Sequence, residues 1–194
     1  MTTTIGLLLA AGAGRRMGMP KALVTTKDGV PWVVGAARRL AAGGCSETVV
    51  IIGAAAAEVR ALLAAEPVTV VEATDWEAGM GSSLRAGFNA IADRSADAAL
   101  VHLVDLPDVG SDVIRRMLGL AASGILARAS YGSGPGHPVL IGREHWEAIA
   151  AESSGDRGAR DYLARHAVLE VDCADLAAGA DIDEPGALVS KLDT

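Results

Sequence analysis

Apolar and polar positions alternate in blocks along this chain, and the blocks switch between two periods. Residues 4–9, without a polar residue after Thr4, form a run of strand length, the pattern a strand needs when both its faces are covered. Residues 31–42 follow helical spacing, with Pro31 suited to the first turn, where its missing N–H costs nothing. Residues 47–52, rich in Val and Ile, read as a strand. Residues 55–65 read as a helix with Val59, Leu62 and Leu63 on one face, stopped by Pro67 before a strand at 68–71. A glycine-rich segment at 77–83 opens a helix to residue 93, with Leu84, Phe88 and Ile91 at helical spacing. Residues 98–104 are a strand ending at Asp105, and Ser111 is placed to cap a helix carrying Val113, Ile114, Met117, Leu118 and Ala121. Residues 125–130 and 138–141 read as strands around a glycine-rich loop. Residues 143–153 and 156–166 read as helices, 168–171 as a last strand, and a short helix closes the chain.

Strands alternating with helices imply parallel pairing in a three-layer, mostly parallel, Rossmann-like α/β sheet with helices on both faces. In such sheets the ligand crevice lies beyond the carboxyl ends of the strands. The two most polar strand ends are the loop after Leu9 and Asp105, so both point to one crevice. No repeat or linker breaks the pattern, and 194 residues suit a single domain spanning 1–194.

Composition narrows this picture. Aromatic residues make up only 3% against 51% hydrophobic, so the core must be built from Ala, Val, Leu and Ile. A net charge of −7 argues against a nucleic-acid partner, which calls for a basic face. It leaves room for a small anionic substrate held by local cations. Cys45 and Cys173 have no His or Cys at ligand spacing and read as reduced thiols rather than zinc ligands. The longest apolar stretch, 5–13, is too short to cross a bilayer, and the first residues lack the charged start of a signal peptide. A cytoplasmic protein with no membrane partner is expected.

The chemistry concentrates in Leu9-Ala10-Ala11-Gly12-Ala13-Gly14-Arg15-Arg16-Met17-Gly18-Met19-Pro20-Lys21. Glycines let backbone N–H groups close around phosphate oxygens. Arg15, Arg16 and Lys21 crowd positive charge into an acidic protein, and neutralising a triphosphate is a reason to do so. The loop matches neither common template: Gly18 falls one residue late for a dinucleotide fingerprint, and no Gly-Lys-Ser/Thr is present.

Asp105, at a strand end facing an anionic ligand, needs an intervening cation, which Mg²⁺ (or Mn²⁺) would supply. The alternative is a turn cap before Leu106-Pro107, and Asp108 is a nearby, more exposed competitor. Asp183 is a second candidate metal ligand; in Asp181-Ile182-Asp183 an extended chain puts both carboxylates on one side. Gly81, Ser82 and Ser83 begin a helix whose free N–H groups and hydroxyls can bind base, ribose or phosphate, or simply cap it. Trp76 and Trp146 can stack on rings, with packing the default. His102 and His145 read as core-edge and surface residues.

The first loop resembles the signature of the MobA-like nucleotidyltransferases, with the cytidylyltransferase branch for molybdenum cofactor the better match. Further along, Glu77-Ala78-Gly79-Met80-Gly81-Ser82-Ser83-Leu84-Arg85-Ala86-Gly87, Val104-Asp105-Leu106-Pro107, Gly136-His137-Pro138-Val139-Leu140, Gly155-Asp156-Arg157-Gly158-Ala159-Arg160 and Asp181-Ile182-Asp183 occur in the family's order. The resemblance implies a fold of the nucleotide-diphospho-sugar transferase type. It implies a loop wrapping the triphosphate, Leu9 to Lys21, with Lys21 on the phosphates; Arg16, by its charge, is expected beside Lys21 to stabilise charge moving to the pyrophosphate. It also implies Asp105 on the metal and the 81–83 segment against the nucleoside. Leu9-Ala10-Ala11-Gly12 resembles the loop version that goes with cytosine, so CTP is expected over GTP. The acceptor implied is molybdopterin, with a molybdenum enzyme as partner, and the family pattern makes His137 a candidate to face the acceptor, the alternative being a structural role beside Pro138. Asp156, Arg157 and Arg160 read as a helix start with local ion pairs, and Arg157 or Arg160 could instead contact the anionic acceptor. Two other classes stay open: an NAD(P)H-dependent reductase of nicotine-derived pigments, which some similar proteins are described as, and a cofactor-insertion factor. Within the transferase class, a sugar-phosphate acceptor is the alternative.

Overall fold

The first strand, β1 (Thr4–Ala10), is buried at every position because the sheet is covered on both faces. Leu7 enters a core with Phe88 and Ile91 on one side, and Leu8 enters a core with Val33, Leu40 and Ile114 on the other. The structure, a computed structural model, describes residues 2–183. In chain order β1 is followed by α1 (Trp32–Gly43), β2 (Glu47–Ile52), α2 (Ala56–Leu62), β3 (Thr69–Glu72), α3 (Met80–Ile91) and β4 (Ala98–Leu103). Then come α4 (Ser111–Leu118), β5 (Leu126–Tyr131), β6 (Gly134–Gly142), α5 (Trp146–Glu152), α6 (Arg160–Ala164) and β7 (Leu169–Asp172). One sheet joins the strands in the order β3-β2-β1-β4-β6-β5-β7. The short helix expected to close the chain lies outside the described residues.

Helices α1 and α4 cover one face through Trp32, Val33, Leu40, Val113, Ile114 and Met117. Helices α3 and α5 cover the other through Leu84, Phe88, Ile91, Trp146 and Ile149. With few aromatics available, close approach substitutes for bulk: a Cβ on Gly43 would lie 2.6 Å from Ile114 Cβ, so α1 and α4 nearly touch. Trp146 is a packing residue. Its ring lies 6.1 Å from that of Phe88, and its indole N–H donates to the Ile141 carbonyl at 3.0 Å.

The sheet is mostly parallel, with β6 the reversed strand among those described: it runs antiparallel to both β4 and β5. Residues 132–133 alone separate β5 from β6, and so short a connection joins only antiparallel neighbours. The glycine-rich stretch read as a loop is therefore mostly strand. Other differences are local. Ser111 is the first helical residue, not the cap; Gly110 holds that position and no side chain caps the helix, which stops at Leu118. Helix α2 ends at Leu62, well before Pro67; Leu62 is exposed, while Val59 and the following Leu63 are buried in the core.

His102 on β4 is completely buried, and neither ring nitrogen has a hydrogen-bond partner among the described residues. Burial, then the charges of Arg39 and His137, hold its pKa down to about 3, so the ring is neutral. Burying a polar group without a partner costs about 1–3 kcal/mol. His102→Leu is accordingly expected to raise the melting temperature by about 2–6 °C. A thermal melt checks this, and a lower melting temperature would mean that the ring is bonded to internal water.

Candidate active site

Strands β1 and β4 are parallel neighbours with Leu9 opposite Leu103, and the Val104 N–H donates to the Leu9 carbonyl at 3.2 Å. Continuing that register puts Ala11 and Asp105 side by side at the carboxyl edge of the sheet. The glycine-rich loop leaves from the same edge. Gly14 and Gly18 take φ of +60° and +78°, the left-handed region that glycine enters without strain. At Gly14 a Cβ would run into the Met19 carbonyl oxygen and lie 2.9 Å from its carbon, so the two limbs of the loop close on each other there. Met17 is buried in the core beside α1 and pins the loop down. A single 3-10 turn, Lys21–Leu23, then turns the Lys21 ammonium back toward Asp105.

Lys21 Nζ lies 2.8 Å from Asp105 Oδ2 and also bonds Asp183 Oδ1, while Arg16 Nη1 lies 2.7 Å from Asp183 Oδ2. Partial burial opposes the charge on Lys21, but its hydrogen bonds to Asp105 and Asp183 outweigh this, and its pKa is raised. The Lys21 hydrogen bond holds the Asp183 carboxyl below its usual range against the opposing effect of burial, with the charges of Lys21 and Arg16 adding to it. Asp183 reaches this place because the Ile182 N–H donates to the Asp105 carbonyl at 3.1 Å and the Ile182 side chain is buried. Asp108 anchors the same segment, its Oδ2 accepting from the Ala178 and Gly179 N–H groups at 3.0 Å each.

With Ile182 turned inward, Asp181 and Asp183 both face Asp105. One oxygen from each of the three carboxylates lies within 4.8 Å of the other two. Asp105 Oδ1 is buried without a hydrogen-bond partner. Hard oxygen donors in this arrangement, one of them unsatisfied, are a donor set that suits Mg²⁺ or Mn²⁺. Asp181 is a member that sequence reasoning did not select. Its i, i+2 spacing to Asp183 was visible, but nothing in the sequence says that Ile182 docks on Asp105.

The crevice has two compartments. The first, about 450 Å³, is walled by loop residues 11–16 and Lys21, faced by Trp76, Ser83, Asp105 and Asp183. The second, about 650 Å³, is walled by Leu84, Arg128, His137, Arg160 and His166, with Asp181 at its margin. Leu9, Met80, Leu103 and Asp156 border both. The carboxylate cluster thus straddles the junction: Asp105 and Asp183 face one compartment and Asp181 the other.

Three residues singled out in the sequence lie elsewhere. The Ala10 side chain is buried in the core beside α1. A Cβ on Gly81 would lie 2.5 Å from the Ser154 nitrogen, so glycine there lets α3 meet the 153–155 backbone rather than a ligand. The Ser82 hydroxyl lies 2.8 Å from both the Asp75 and Gly79 carbonyl oxygens and is buried. Of that trio only Ser83 reaches the cleft. Trp76, read as packing by default, does both jobs: it lies against Gly53 and lines the first compartment. Arg157 pairs with Asp161 at 3.0 Å, and Arg160 opens on the second compartment. His145, read as a surface residue, is half-buried, with Nδ1 2.8 Å from the Tyr162 hydroxyl. Cys45 and Cys173 are free and buried. Among the described residues no helix is long and apolar enough to cross a membrane.

Comparison with known proteins agrees with this architecture. The chain is 39% identical over 188 residues to a nicotine blue oxidoreductase of Paenarthrobacter nicotinovorans, covering 92% of this chain and 91% of that one. Rv0371c of Mycobacterium tuberculosis H37Rv superposes with a TM-score of 0.82 at 26% identity, over 100% of this chain and 99% of that one. The same protein has also been solved in complex with manganese, with a TM-score of 0.77 at 26% identity over 98% of each chain. A nucleotidyl transferase of Methanothermobacter thermautotroptrophicus shares the fold, with a TM-score of 0.84 at 20% identity over 100% of this chain and 97% of that one. The family model described as the MobA-like NTP transferase domain matches residues 6–171, and on that match, over a sheet edge built around a glycine-rich loop, this chain belongs to the MobA-like NTP transferase family.

Proposed function

We propose that this protein transfers a nucleoside monophosphate from a nucleoside triphosphate, CTP by preference, to a phosphorylated acceptor, molybdopterin, with pyrophosphate leaving. The observation that carries the reading is the carboxylate cluster at the junction of two compartments, beside a cationic glycine loop. The first compartment holds the triphosphate. Loop N–H groups, Lys21 and Arg16 take up its negative charge, and Ser83 and Trp76 lie where the nucleoside extends. Arg160 lines the second compartment, with Arg128 and Arg157, paired at 2.6 and 3.0 Å with Glu170 and Asp161, as further guanidinium groups that an anionic acceptor can recruit. The preference for CTP rests on Leu9-Ala10-Ala11-Gly12.

Asp105, Asp181 and Asp183 would hold Mg²⁺ or Mn²⁺, which when bound neutralises phosphate charge and polarises the α-phosphate. Manganese in Rv0371c supports this choice of ion. An acceptor phosphate oxygen forms the new bond to the α-phosphorus as the bond to the bridging oxygen of pyrophosphate breaks. That oxygen is already ionised near neutral pH, so no general base is required. The protein's share is positioning and charge compensation, which supply most of the acceleration in phosphoryl chemistry. In the cytoplasm both substrates would be at hand, and a molybdenum enzyme would receive the product.

A pyrophosphate-release screen pairing four nucleoside triphosphates with molybdopterin and several sugar phosphates tests this. Release is expected with CTP and molybdopterin, abolished by EDTA and restored by Mg²⁺ or Mn²⁺. No release with any pair would overturn the reading. The relative named nicotine blue oxidoreductase favours a second one, reduction of a quinone-like dye by NAD(P)H. Three carboxylates beside the loop have no evident use in hydride transfer, and the glycine spacing is wrong for a dinucleotide fingerprint. NADPH consumption with such a dye, without any nucleoside triphosphate, would favour that reading.

A further inference from the structure

We infer that the Lys21 ammonium is the resident counter-cation of the carboxylate cluster, displaced by a divalent ion only when a polyphosphate is present to receive the lysine. The inference rests on the proposed function and concerns the order in which that site fills. Three ionised carboxylates this close repel one another, and positive charge among them relieves that repulsion. In the ligand-free protein Lys21 supplies it, bonded at once to Asp105 Oδ2 and Asp183 Oδ1, and Arg16 occupies Asp183 Oδ2. Asp105 Oδ2 and both Asp183 oxygens are thus taken by two cations, which leaves the buried Asp105 Oδ1 and the exposed Asp181 carboxylate to a metal.

A divalent ion arriving alone faces a choice between two poor states. Sharing the cluster with Lys21 sets like charges against each other, and expelling Lys21 leaves a half-buried ammonium with no anion. A polyphosphate in the glycine loop removes the difficulty. Lys21 and Arg16 line the same compartment as loop residues 11–16, so each can exchange a carboxylate for a phosphate by rotating its own side chain. Metal and nucleotide then promote each other's binding, and by linkage the factor is the same in either direction. A metal without nucleotide, or a nucleotide without metal, finds the site half-blocked.

The test is Mn²⁺ binding, read by electron paramagnetic resonance and calorimetry on the full chain, with and without a CTP analogue carrying a methylene bridge between the α and β phosphorus atoms. In the unaltered protein the analogue should tighten Mn²⁺ binding by about tenfold or more. Lys21→Met should tighten binding of Mn²⁺ alone by about tenfold and weaken the coupling to the analogue. Arg16→Met, at a far more exposed position, should produce a smaller gain in the same direction. Circular dichroism confirms that each variant is folded, and the two variants give independent readings should one misfold. Equal or weaker Mn²⁺ binding in folded Lys21→Met, with normal coupling in the unaltered protein, would overturn the exchange and leave the proposed function standing. No Mn²⁺ binding even with the analogue would overturn both.

Discussion

Asp105→Asn should lower turnover by about a hundred- to a thousandfold, the usual effect of removing one preorganised charge from a transition-state site, while the metal-free protein melts no lower than the unaltered one. The two halves of this result have one cause. Asp105, Asp181 and Asp183 have oxygens within 4.8 Å of one another, and two unit charges at that separation repel by about 3–4 kcal/mol at an effective dielectric constant of 20. Lys21 and Arg16 offset part of that repulsion. Replacing one carboxylate by an amide of the same shape relieves more of it, and Lys21 keeps Asp183 as a partner. The substitution removes a donor the metal would use, and the family's chemistry with it, but no packing. Steady-state pyrophosphate release and a thermal melt in EDTA read the two effects separately. Near-normal turnover in the folded variant would remove Asp105 from the mechanism. A large fall in melting temperature with activity retained would make it the turn cap of Leu106-Pro107 instead.

How much of this was legible in the sequence depends on the range of the interaction that decides each feature. Elements set by local pattern were readable: the two-sided burial of β1, the Leu84, Phe88 and Ile91 stripe of α3, and the crevice at the strand ends all follow from spacing. So was the convergence of the loop with Asp105, because both follow the carboxyl ends of strands in the expected sheet; that β1 and β4 are parallel neighbours, which sets the two side by side, was not. Features decided by tertiary contact were not. The glycines at 132–136 looked like a loop because their composition is loop-like, yet the hairpin needs only two of those residues to turn. Gly81 and Ser82 looked like ligand contacts because they open a helix, and only the Ser154 backbone and the Asp75 and Gly79 carbonyls explain them. Asp181 needed Ile182 to be anchored on the Asp105 carbonyl, a contact between positions 77 residues apart, which no local pattern encodes.

The comparison of Gly14→Ala with Gly18→Ala isolates what the loop's shape contributes. Both glycines have positive φ, so alanine at either should cost about 1–2 kcal/mol of backbone strain. They differ in surroundings. At Gly18 a Cβ meets nothing within 4 Å, whereas at Gly14 it runs into the Met19 carbonyl oxygen. That oxygen belongs to backbone, so no rotamer change relieves the overlap, and the 14–19 limbs must part. Lys21 follows two residues after Met19, so parting them moves the ammonium that the phosphates and Asp105 share. Gly14→Ala is therefore expected to lower kcat/KM for the nucleoside triphosphate by about a hundredfold, the scale set by a misplacement near 1 Å. Gly18→Ala should lower it by no more than about threefold and lose only the stability that backbone strain removes, with Gly14→Ala losing more because the overlap adds to the strain. Nucleotide titrations and melts on the two proteins decide the matter. If both variants lose the same activity, strain rather than closure governs the loop, and the Lys21 position does not depend on the contact between Gly14 and Met19.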